Sequence, residues 1–266
     1  MSAASNPRPL TGRHALVTGA GSGIGAAIAT TLAQAGALLS LAGRRREPLE
    51  QVASIIGSAQ AHVLDGFDVT NAMAIEQGLK AARAKFGPIE ILVNNAGEAP
   101  SAPFDKTDAD LWSRVIAVDL TGVFLVSQAA LADLRKSGQN ARIVNVASTA
   151  GLTGYPYVSA YCAAKHGVIG LTRALAVELA KTGITVNAVC PGFTDTPLLR
   201  KAAETIRSKT GRSEAEAVTT LAGANPQGRL VTPQEVADTV LWLASPGSAS
   251  INGQAIVVAG GEVMAG

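Results

Sequence analysis

The chain has 266 residues, of which 47% are hydrophobic and 16% are charged. This hydrophobicity is too high for a disordered chain. The length exceeds the roughly 100–200 residues of a typical domain, so the chain could form one large α/β domain or two small domains. The net charge of +2 and the aromatic content of 4% provide neither a basic field for phosphate backbones nor rings for stacking bases, so nucleic acid is not an implied partner.

The N-terminal residues 1–13 contain no apolar segment of the kind found in a signal peptide. Ala15–Gly43 lacks charged residues, but repeated glycines favour a buried strand, a turn and a helix over a membrane span. The two cysteines and three histidines show no metal-ligand spacing. We therefore expect a cytoplasmic protein with no membrane partner and no metal.

Short apolar runs alternate with helix-length segments along nearly the whole chain. Runs that are apolar at every position are typical of parallel strands covered by helices on both faces. We predict a single-domain, doubly wound Rossmann fold of class α/β over residues 1–266, with a seven-stranded parallel sheet and a flexible N-terminus at residues 1–11. The predicted strands are His14–Thr18, Leu38–Ala42, Ala61–Leu64, Ile89–Val93, Arg142–Val146, Thr185–Val189 and Gln254–Val258.

The first predicted strand leads into a glycine-rich turn and an alanine-rich helix. Glycines allow backbone N–H groups to approach a pyrophosphate, and the helix N-terminus adds partial positive charge. A tight turn that serves only packing is the alternative, but the position between the first strand and a helix favours a dinucleotide site. The candidate residues are Gly19, Ser22, Gly23, Ile24 and Gly25.

The end of the second predicted strand is the position that reads the adenosine ribose in a dinucleotide site. An acidic residue here would accept from a free 2′-hydroxyl and repel a 2′-phosphate. The sequence instead has Gly43 followed by Arg44, Arg45 and Arg46. This pattern predicts NADP(H) in preference to NAD(H), with a solvated basic turn as the alternative.

A tyrosine and a lysine are spaced for one helix face. Tyr161 and Lys165 form an i, i+4 pair, and the ammonium would stabilise a phenolate and make the tyrosine a usable general acid or base. Ser148 follows the fifth predicted strand, where its hydroxyl could hold a carbonyl oxygen beside Tyr161. An amphipathic surface pair and a serine cap are the alternatives. Tyr155 and Tyr157 have no lysine four residues later.

The stretch Thr194–Gln227 is too long for an ordinary connection between a strand and a helix. In a doubly wound sheet it leaves the carboxyl edge, where ligands bind, so we predict a helical substrate lid after the sixth strand. A packing excursion without ligand contact is the alternative.

These motifs together resemble the short-chain dehydrogenase/reductase family. The resemblance rests on the glycine turn from Thr18 to Gly25, Asn94–Gly97, Ser148, Tyr161-x-x-x-Lys165 and Pro191-Gly192, and it extends over nearly the whole chain. It implies that Tyr161 donates a proton to the carbonyl oxygen, that Lys165 lowers the tyrosine pKa and binds the nicotinamide ribose, and that Ser148 polarises the carbonyl.

The resemblance also implies further cofactor contacts. Asp68 and Val69 after the third strand would lie near the adenine, and Asn94–Gly97 would support the adenosine side. Thr194 and Thr196 would hold the nicotinamide carboxamide and the phosphates. The additional cofactor residues are Asp68, Val69, Asn95, Ala96, Gly97, Pro191, Gly192, Thr194 and Thr196.

Asp119 departs from the family pattern, because the fourth catalytic position is usually asparagine in a segment N-L-x-G. The resemblance implies that this residue shapes its helix and that its backbone carbonyl supports a water chain to the lysine. A backbone role survives the change to aspartate, whereas a role of the side-chain amide does not. We therefore expect an active enzyme.

The segments around Tyr161 and Cys190 are most similar to β-ketoacyl thioester reductases, including polyketide ketoreductases. Between Arg200 and Arg212 there are five basic residues and one acidic residue, a local net charge of 5 − 1 = +4. Such a lid could attract a phosphopantetheine carrier, coenzyme A or an acidic carrier protein. An ordinary solvated helix face is the alternative.

The leading hypothesis is an NADPH-dependent reductase of a ketone or a 3-oxoacyl thioester, with Tyr161 as the general acid. Oxidation of a secondary alcohol is the alternative among enzymes. A dinucleotide-sensing protein without turnover is the alternative from another class. The resemblance further implies a homotetramer.

Overall fold

The computed structural model describes residues 8–211 and 213–264. Within these ranges seven strands form one sheet in the order β3-β2-β1-β4-β5-β6-β7, and every neighbouring pair is parallel. The predicted fold class is thus confirmed. The strands are β1 (His14–Thr18), β2 (Leu38–Ala42), β3 (Ala61–Leu64), β4 (Ile91–Asn94), β5 (Arg142–Val146), β6 (Thr185–Pro191) and β7 (Ala255–Val258).

Helices cover both faces of the sheet, as the continuous apolarity of the strands requires. Apolar side chains of α1, α2 and α9 bury one face, and those of α3, α5 and α6 bury the other. The helices are α1 (Gly23–Gln34), α2 (Arg46–Ile56), α3 (Ala72–Phe86), α4 (Ala109–Ile116), α5 (Gly122–Ser137), α6 (Ser159–Leu179), α7 (Pro197–Thr210), α8 (Glu214–Ala222) and α9 (Pro233–Ala244).

The neighbours β1 and β4 mark the point where the strand order reverses. The chain leaves these two strands toward opposite sides, which opens a crevice at their carboxyl ends, the usual ligand site of such sheets. The glycine turn follows β1, and the segment after β4 lies beside it. The fold therefore places both predicted cofactor segments at the same edge.

A chain of buried polar side chains runs beneath this edge. Asn94 Nδ2 donates to Ser127 Oγ at 2.9 Å and to Asn145 Oδ1 at 2.8 Å. Asn145 Nδ2 donates to Thr172 Oγ1 at 2.9 Å, and the threonine hydroxyl donates to Val168 O at 2.7 Å. These contacts join β4, β5, α5 and α6 inside the protein.

A single π-turn, Ala117–Thr121, joins α4 to α5. Such a turn inserts one extra residue into a helix and redirects a side chain, often at a functional site. Here it turns Asp119 into the protein interior, where the residue is fully buried. The helical stretch Ala109–Asn140 is long and apolar enough to cross a membrane, a criterion that the core helix of a globular protein also meets.

Two sequence expectations need correction. Residues 8–11 fall within the segment predicted to be flexible, yet Leu10 is fully buried and its N–H donates to Ala35 O at 3.0 Å. Residues 1–7 lie outside the described residues. β4 begins at Ile91 rather than Ile89, and β6 continues to Pro191, because strand ends depend on pairing with a neighbour rather than on apolarity alone.

The insertion after β6 is helical, as predicted, and consists of α7 and α8. Its two ends meet, because Thr194 pairs with Val231 in an isolated parallel bridge. Thr196 caps α7 by accepting from Leu199 N at 3.2 Å. Asn225 closes the insertion with a bond from its Nδ2 to Arg229 O at 2.8 Å. The insertion is therefore a closed unit attached at the sheet edge.

Candidate functional site

The glycine turn after β1 has the shape of a pyrophosphate cradle. Gly19 has a φ of +66°, and a Cβ on Gly25 would lie 2.2 Å from Gly19 O, so the turn is too tight for a side chain. Ser22 is the N-cap residue of α1, but its side chain makes no capping hydrogen bond, and the first turn of the helix contains no acidic residue. The helix N-terminus can therefore offer its N–H groups to an anion.

The segment after β4 holds this turn in place. Thr18 Oγ1 accepts from the backbone N of Asn95 at 2.9 Å and of Ala96 at 3.0 Å. Asn95 Nδ2 donates to Thr18 O at 2.9 Å and to Gly19 O at 3.3 Å. Asn95 thus stabilises the turn that would hold the cofactor. These residues, with the open helix N-terminus, fit a dinucleotide.

The three arginines after β2 differ in their surroundings. Arg46 is paired with Glu50 at 2.7 Å and with Asp65 at 3.6 Å. Arg44 and Arg45 are exposed and form no salt bridge with the described residues. Gly43 leaves the ribose position without a carboxylate. Arg44 and Arg45 are therefore the arginines available to a 2′-phosphate.

Ser148, Tyr161 and Lys165 come together at the end of β5. Lys165 is buried; its Nζ donates to Val146 O at 3.1 Å and lies 5.4 Å from the centroid of the Tyr161 ring. Ser148 follows β5 and its Oγ accepts from Ala150 N at 3.1 Å. The i, i+4 spacing on α6 thus places the ammonium beside the phenol.

The protonation of Tyr161 reflects opposing influences. Burial raises its pKa, the Lys165 ammonium lowers it, Asp119 raises it and the Ser148 hydroxyl lowers it, with a net rise. Burial lowers the pKa of Lys165, but Tyr161 and Asp119 raise it above its ordinary value. The lysine is therefore charged and the tyrosine protonated in the protein without a cofactor.

The structure adds a side-chain contact to the backbone role expected of Asp119. Its Oδ1 lies 3.4 Å from Lys165 Nζ, and its two carboxylate oxygens lie 3.3 and 3.2 Å from Glu98 N. Burial raises the pKa of Asp119 to about 6, against the lowering effect of Lys165. The side chain itself contacts Lys165.

The other cofactor candidates lie at several places along the same edge. Gly97 lies beside the Asp119 carboxylate, and Thr196 packs against Gly23, whose Cβ would lie 3.2 Å from the threonine Cγ2. This contact places the segment after Pro191-Gly192, including Thr194, over the glycine turn. Asp68, at the adenine end, accepts from Thr70 N and Thr70 Oγ1 through one oxygen.

Two residues at this edge have side chains that lie in the interior. The Asn94 side chain lies in the buried polar chain, so it supports the sheet edge that carries the segment Asn95–Gly97. Val69 is buried, and its Cγ2 would lie 2.7 Å from a Cβ on Gly122 at the start of α5. Its side chain therefore packs in the core, and the cofactor contact expected at this position would be made by its backbone.

The positive charge expected on the lid is partly neutralised. Arg200 pairs with Asp195 at 3.1 Å and with Glu214 at 3.8 Å, and Arg207 pairs with Glu204 at 3.8 Å. The net charge of +4 was counted between Arg200 and Arg212, so it left out the two acidic residues Asp195 and Glu214 that pair with Arg200. Arg212 and the side chain of Lys209 lie outside the described residues.

A polar group beside Ser148 was not foreseen. Tyr155 OH donates to Glu262 Oε1 at 2.5 Å and lies 2.9 Å from the hydroxyl of Thr149. The Tyr155 ring also meets Phe193 edge to face at 5.8 Å. The hydrogen bond between Tyr155 and Glu262 joins the C-terminal segment to the loop after β5. No sequence signal links Tyr155 to Glu262, since they are 107 residues apart.

Comparisons with known proteins identify the family of the chain. The family model described as short chain dehydrogenase matches residues 13–207. A Streptomyces coelicolor protein whose assigned name refers to ketoacyl reduction is 41% identical over 251 residues, covering 93% of this chain and 95% of the relative. Cis-4-hydroxycyclohexanecarboxylate dehydrogenase of Sinomonas cyclohexanicum is also 41% identical over 251 residues, covering 94% and 96%.

A solved structure extends the agreement to three dimensions. A variant of actinorhodin polyketide ketoreductase with NADPH superposes with a TM-score of 0.88 at 38% identity, covering 95% of this chain and 98% of that chain. Both the sequence and the fold are thus matched over nearly their full length. The chain belongs to the short-chain dehydrogenase family, whose related members are named as oxidoreductases of ketone and hydroxyl groups.

Proposed function

We propose that the protein reduces a ketone to a secondary alcohol with NADPH, and that Tyr161 is the general acid. The observation that carries this proposal is the approach of the Lys165 ammonium to the Tyr161 ring at the end of β5, beside Ser148. Such a phenol can donate a proton where the carbonyl oxygen gains negative charge. The glycine turn lies at the same sheet edge.

The residues divide the work as follows. Bound NADPH would supply the hydride to the carbonyl carbon. The Tyr161 hydroxyl donates its proton to the carbonyl oxygen, and the Ser148 hydroxyl donates a hydrogen bond to that oxygen, which stabilises the developing charge. Lys165 stabilises the phenolate that remains. The balance is one hydride and one proton added across the C=O bond.

NADPH is preferred in this proposal because Gly43 leaves the ribose position neutral and because Arg44 and Arg45 are exposed and form no salt bridge with a carboxylate of the described residues. A 2′-phosphate offers a guanidinium the bidentate contact that a ribose hydroxyl cannot. The structural neighbour solved with NADPH supports the same choice. Alcohol oxidation is the reverse reaction at the same site, and an NADP⁺ or NAD⁺ preference discriminates between the directions.

The substrate in this proposal is a ketone or a 3-oxoacyl thioester, in line with a relative whose assigned name refers to a ketoacyl substrate. The pairing of Arg200 and Arg207 weakens the separate argument from a basic lid. The kcat/KM values for acetoacetyl-CoA and for a size-matched free ketone distinguish a thioester substrate from a free ketone. Equal efficiency on both would remove the thioester from the proposal.

Subunit assembly follows the family expectation of a homotetramer. Exposed apolar side chains on α4, α5 and α6 support it, since Trp112 is 43%, Phe124 is 44% and Val177 is 81% exposed. Light scattering during size-exclusion chromatography measures the mass. A monomer would contradict this part of the proposal.

The test of the proton donor is Tyr161→Phe, with Tyr157→Phe as the matched control because Tyr157 is 65% exposed on the preceding loop. Ketone reduction should fall by about 10²-fold or more in Tyr161→Phe, while NADPH binding and the activity of Tyr157→Phe remain. Retained reduction in Tyr161→Phe would refute the assigned role. NADPH binding without turnover of any ketone by the wild type would favour the sensing protein instead.

A further inference from the structure

The side chain of Asp119 forms a buried ion pair with the lysine on which the proposed mechanism depends. Asp119 is 0% exposed, and its Oδ1 lies 3.4 Å from Lys165 Nζ. The same ammonium donates to Val146 O at 3.1 Å and lies 5.4 Å from the centroid of the Tyr161 ring. Two acceptors therefore fix the ammonium beside the phenol, and one of them is charged.

The surroundings of Asp119 suit a carboxylate better than an amide. Its two oxygens lie 3.3 and 3.2 Å from Glu98 N, and Oδ1 also faces the Lys165 ammonium, so both oxygens face donors. A Cβ on Gly97 would lie 2.6 Å from Oδ1, so glycine makes room for the carboxylate. An asparagine at this position would turn its NH₂ group, which is itself a donor, toward Glu98 N or Lys165 Nζ, and that hydrogen bond would be lost.

Among the described residues, titratable groups face Asp119 from α6 and from the segment after β4. Lys165 and Tyr161 come from α6. Glu98 comes from the segment after β4, and its own carboxylate is held by Arg114 Nε of α4 at 2.7 Å. The lysine and the arginine thus flank two carboxylates, and Asp119 is the one that contacts the catalytic ammonium.

Beyond this group, Cys190 of β6 influences Lys165, but burial raises the pKa of its thiol to about 12, so it stays neutral. Asp119, with a pKa raised by burial to about 6, is ionised at neutral pH. Its charge raises the pKa of both Tyr161 and Lys165. These effects have the same sign as the geometry predicts for an anion beside the two groups.

We propose that Asp119 is a positioning residue for ketone reduction: its carboxylate fixes the Lys165 ammonium beside Tyr161, and its negative charge keeps the phenol protonated over the working pH range. The proposal rests on the proposed role of Tyr161 as proton donor. A protonated tyrosine is the form that reduction needs, whereas alcohol oxidation needs the phenolate. Asp119 therefore favours carbonyl reduction at neutral and mildly alkaline pH.

The experiment titrates the phenolate of Tyr161 by ultraviolet absorbance in the full chain without cofactor. The contribution of Tyr161 is the difference between the wild type and Tyr161→Phe. The same difference is then measured in the Asp119→Asn background. Removing the anion should move the titration of Tyr161 down by about one pH unit, the lower end of the effect of a nearby charge.

The pH profile of ketone reduction should move with it. The alkaline limb of kcat/KM should shift to lower pH by the same amount in Asp119→Asn. A uniform loss of kcat with an unmoved titration and an unmoved limb would show that Asp119 only shapes the helix, and would overturn the proposal. Unchanged titration with unchanged rates would overturn it as well.

Asp133→Asn is the matched control, because Asp133 is also a buried aspartate in an ion pair, with Arg83 Nε at 2.7 Å, and lies on α5 away from the site. It should leave the Tyr161 titration and the rates unchanged. If Asp119→Asn fails to fold, Gly97→Ala displaces the carboxylate from Lys165 and should move the titration in the same direction. Because the titration needs no substrate, its outcome is independent of whether the proposed reaction is correct.

Discussion

Replacing Gly25 by alanine tests whether the glycine turn is the cofactor cradle. A Cβ on Gly25 would lie 2.2 Å from Gly19 O and 2.5 Å from Asn95 Nδ2. Carbon and oxygen reach ordinary contact only beyond roughly 3 Å, so the turn must open by about 1 Å. The Asn95 side chain must move with it, and it carries the bonds to Thr18 O and Gly19 O.

The expected cost follows from these contacts. Overpacking at a tight position costs typically about 1–3 kcal/mol, and the weakened Asn95 bonds lie within that range at about 1 kcal/mol each. The N–H groups that would face the pyrophosphate move by a similar distance. We expect the Kd for NADPH to rise by about tenfold or more, equivalent to about 1.4 kcal/mol, while the protein still folds.

The assay is calorimetric titration with NADPH together with urea unfolding monitored by circular dichroism. Gly247→Ala is the matched control, because a Cβ there meets nothing within 4 Å and the residue is exposed in the turn after α9. That substitution should change stability by at most about 1 kcal/mol and leave the Kd unchanged. Wild-type NADPH affinity in Gly25→Ala would refute the assignment of the cradle.

Three further predictions concern cofactor choice, pH and the C-terminal contact. The double change of Arg44 and Arg45 to alanine should raise KM for NADPH by about tenfold or more and leave KM for NADH nearly unchanged; equal effects on both would contradict the assignment of these arginines. Burial lowers the pKa of His14 in the folded protein. Below about pH 6.5 the unfolded state therefore binds more protons than the folded state, so the free energy of unfolding should decrease as the pH is lowered, by at most about 1.4 kcal/mol per pH unit. His14→Gln should remove that component in urea unfolding at pH 7.5 and 5.5, and an unaltered slope would show that other groups cause it. Tyr155→Phe leaves the Glu262 carboxylate without its partner and should lower stability by about 1–3 kcal/mol with little loss of kcat, and no difference from Tyr157→Phe in Tm would argue against the bond.

The sequence was most informative where a local pattern has a local cause. Continuous apolar runs defined the strands to within two residues, because burial on both faces demands apolar side chains whatever the neighbours are. The glycine turn and the Tyr161–Lys165 pair were also predictable. Each depends on spacing within one turn or one helix.

Contacts between distant segments were beyond such patterns. The pairing of Arg200 with Glu214 depends on how α7 and α8 pack. The pairing of Asp119 with Lys165 depends on a π-turn, which has no sequence signature comparable to a cap or a glycine turn. The residue types were visible in advance, but their partners were set by tertiary packing.

The buried polar chain beneath the site has a consequence for strand alignment. Strands composed of alanine, valine and leucine could slide past one another by two residues and keep the same faces buried. In this protein Asn94 is aligned with Asn145 across β4 and β5, so such a slip would separate the two amides and leave the buried Asn145 Oδ1 without its donor. An unpaired buried acceptor costs about 1–3 kcal/mol. The polar chain therefore specifies one alignment of the central strands, and with it the height at which the Ser148 loop leaves the sheet.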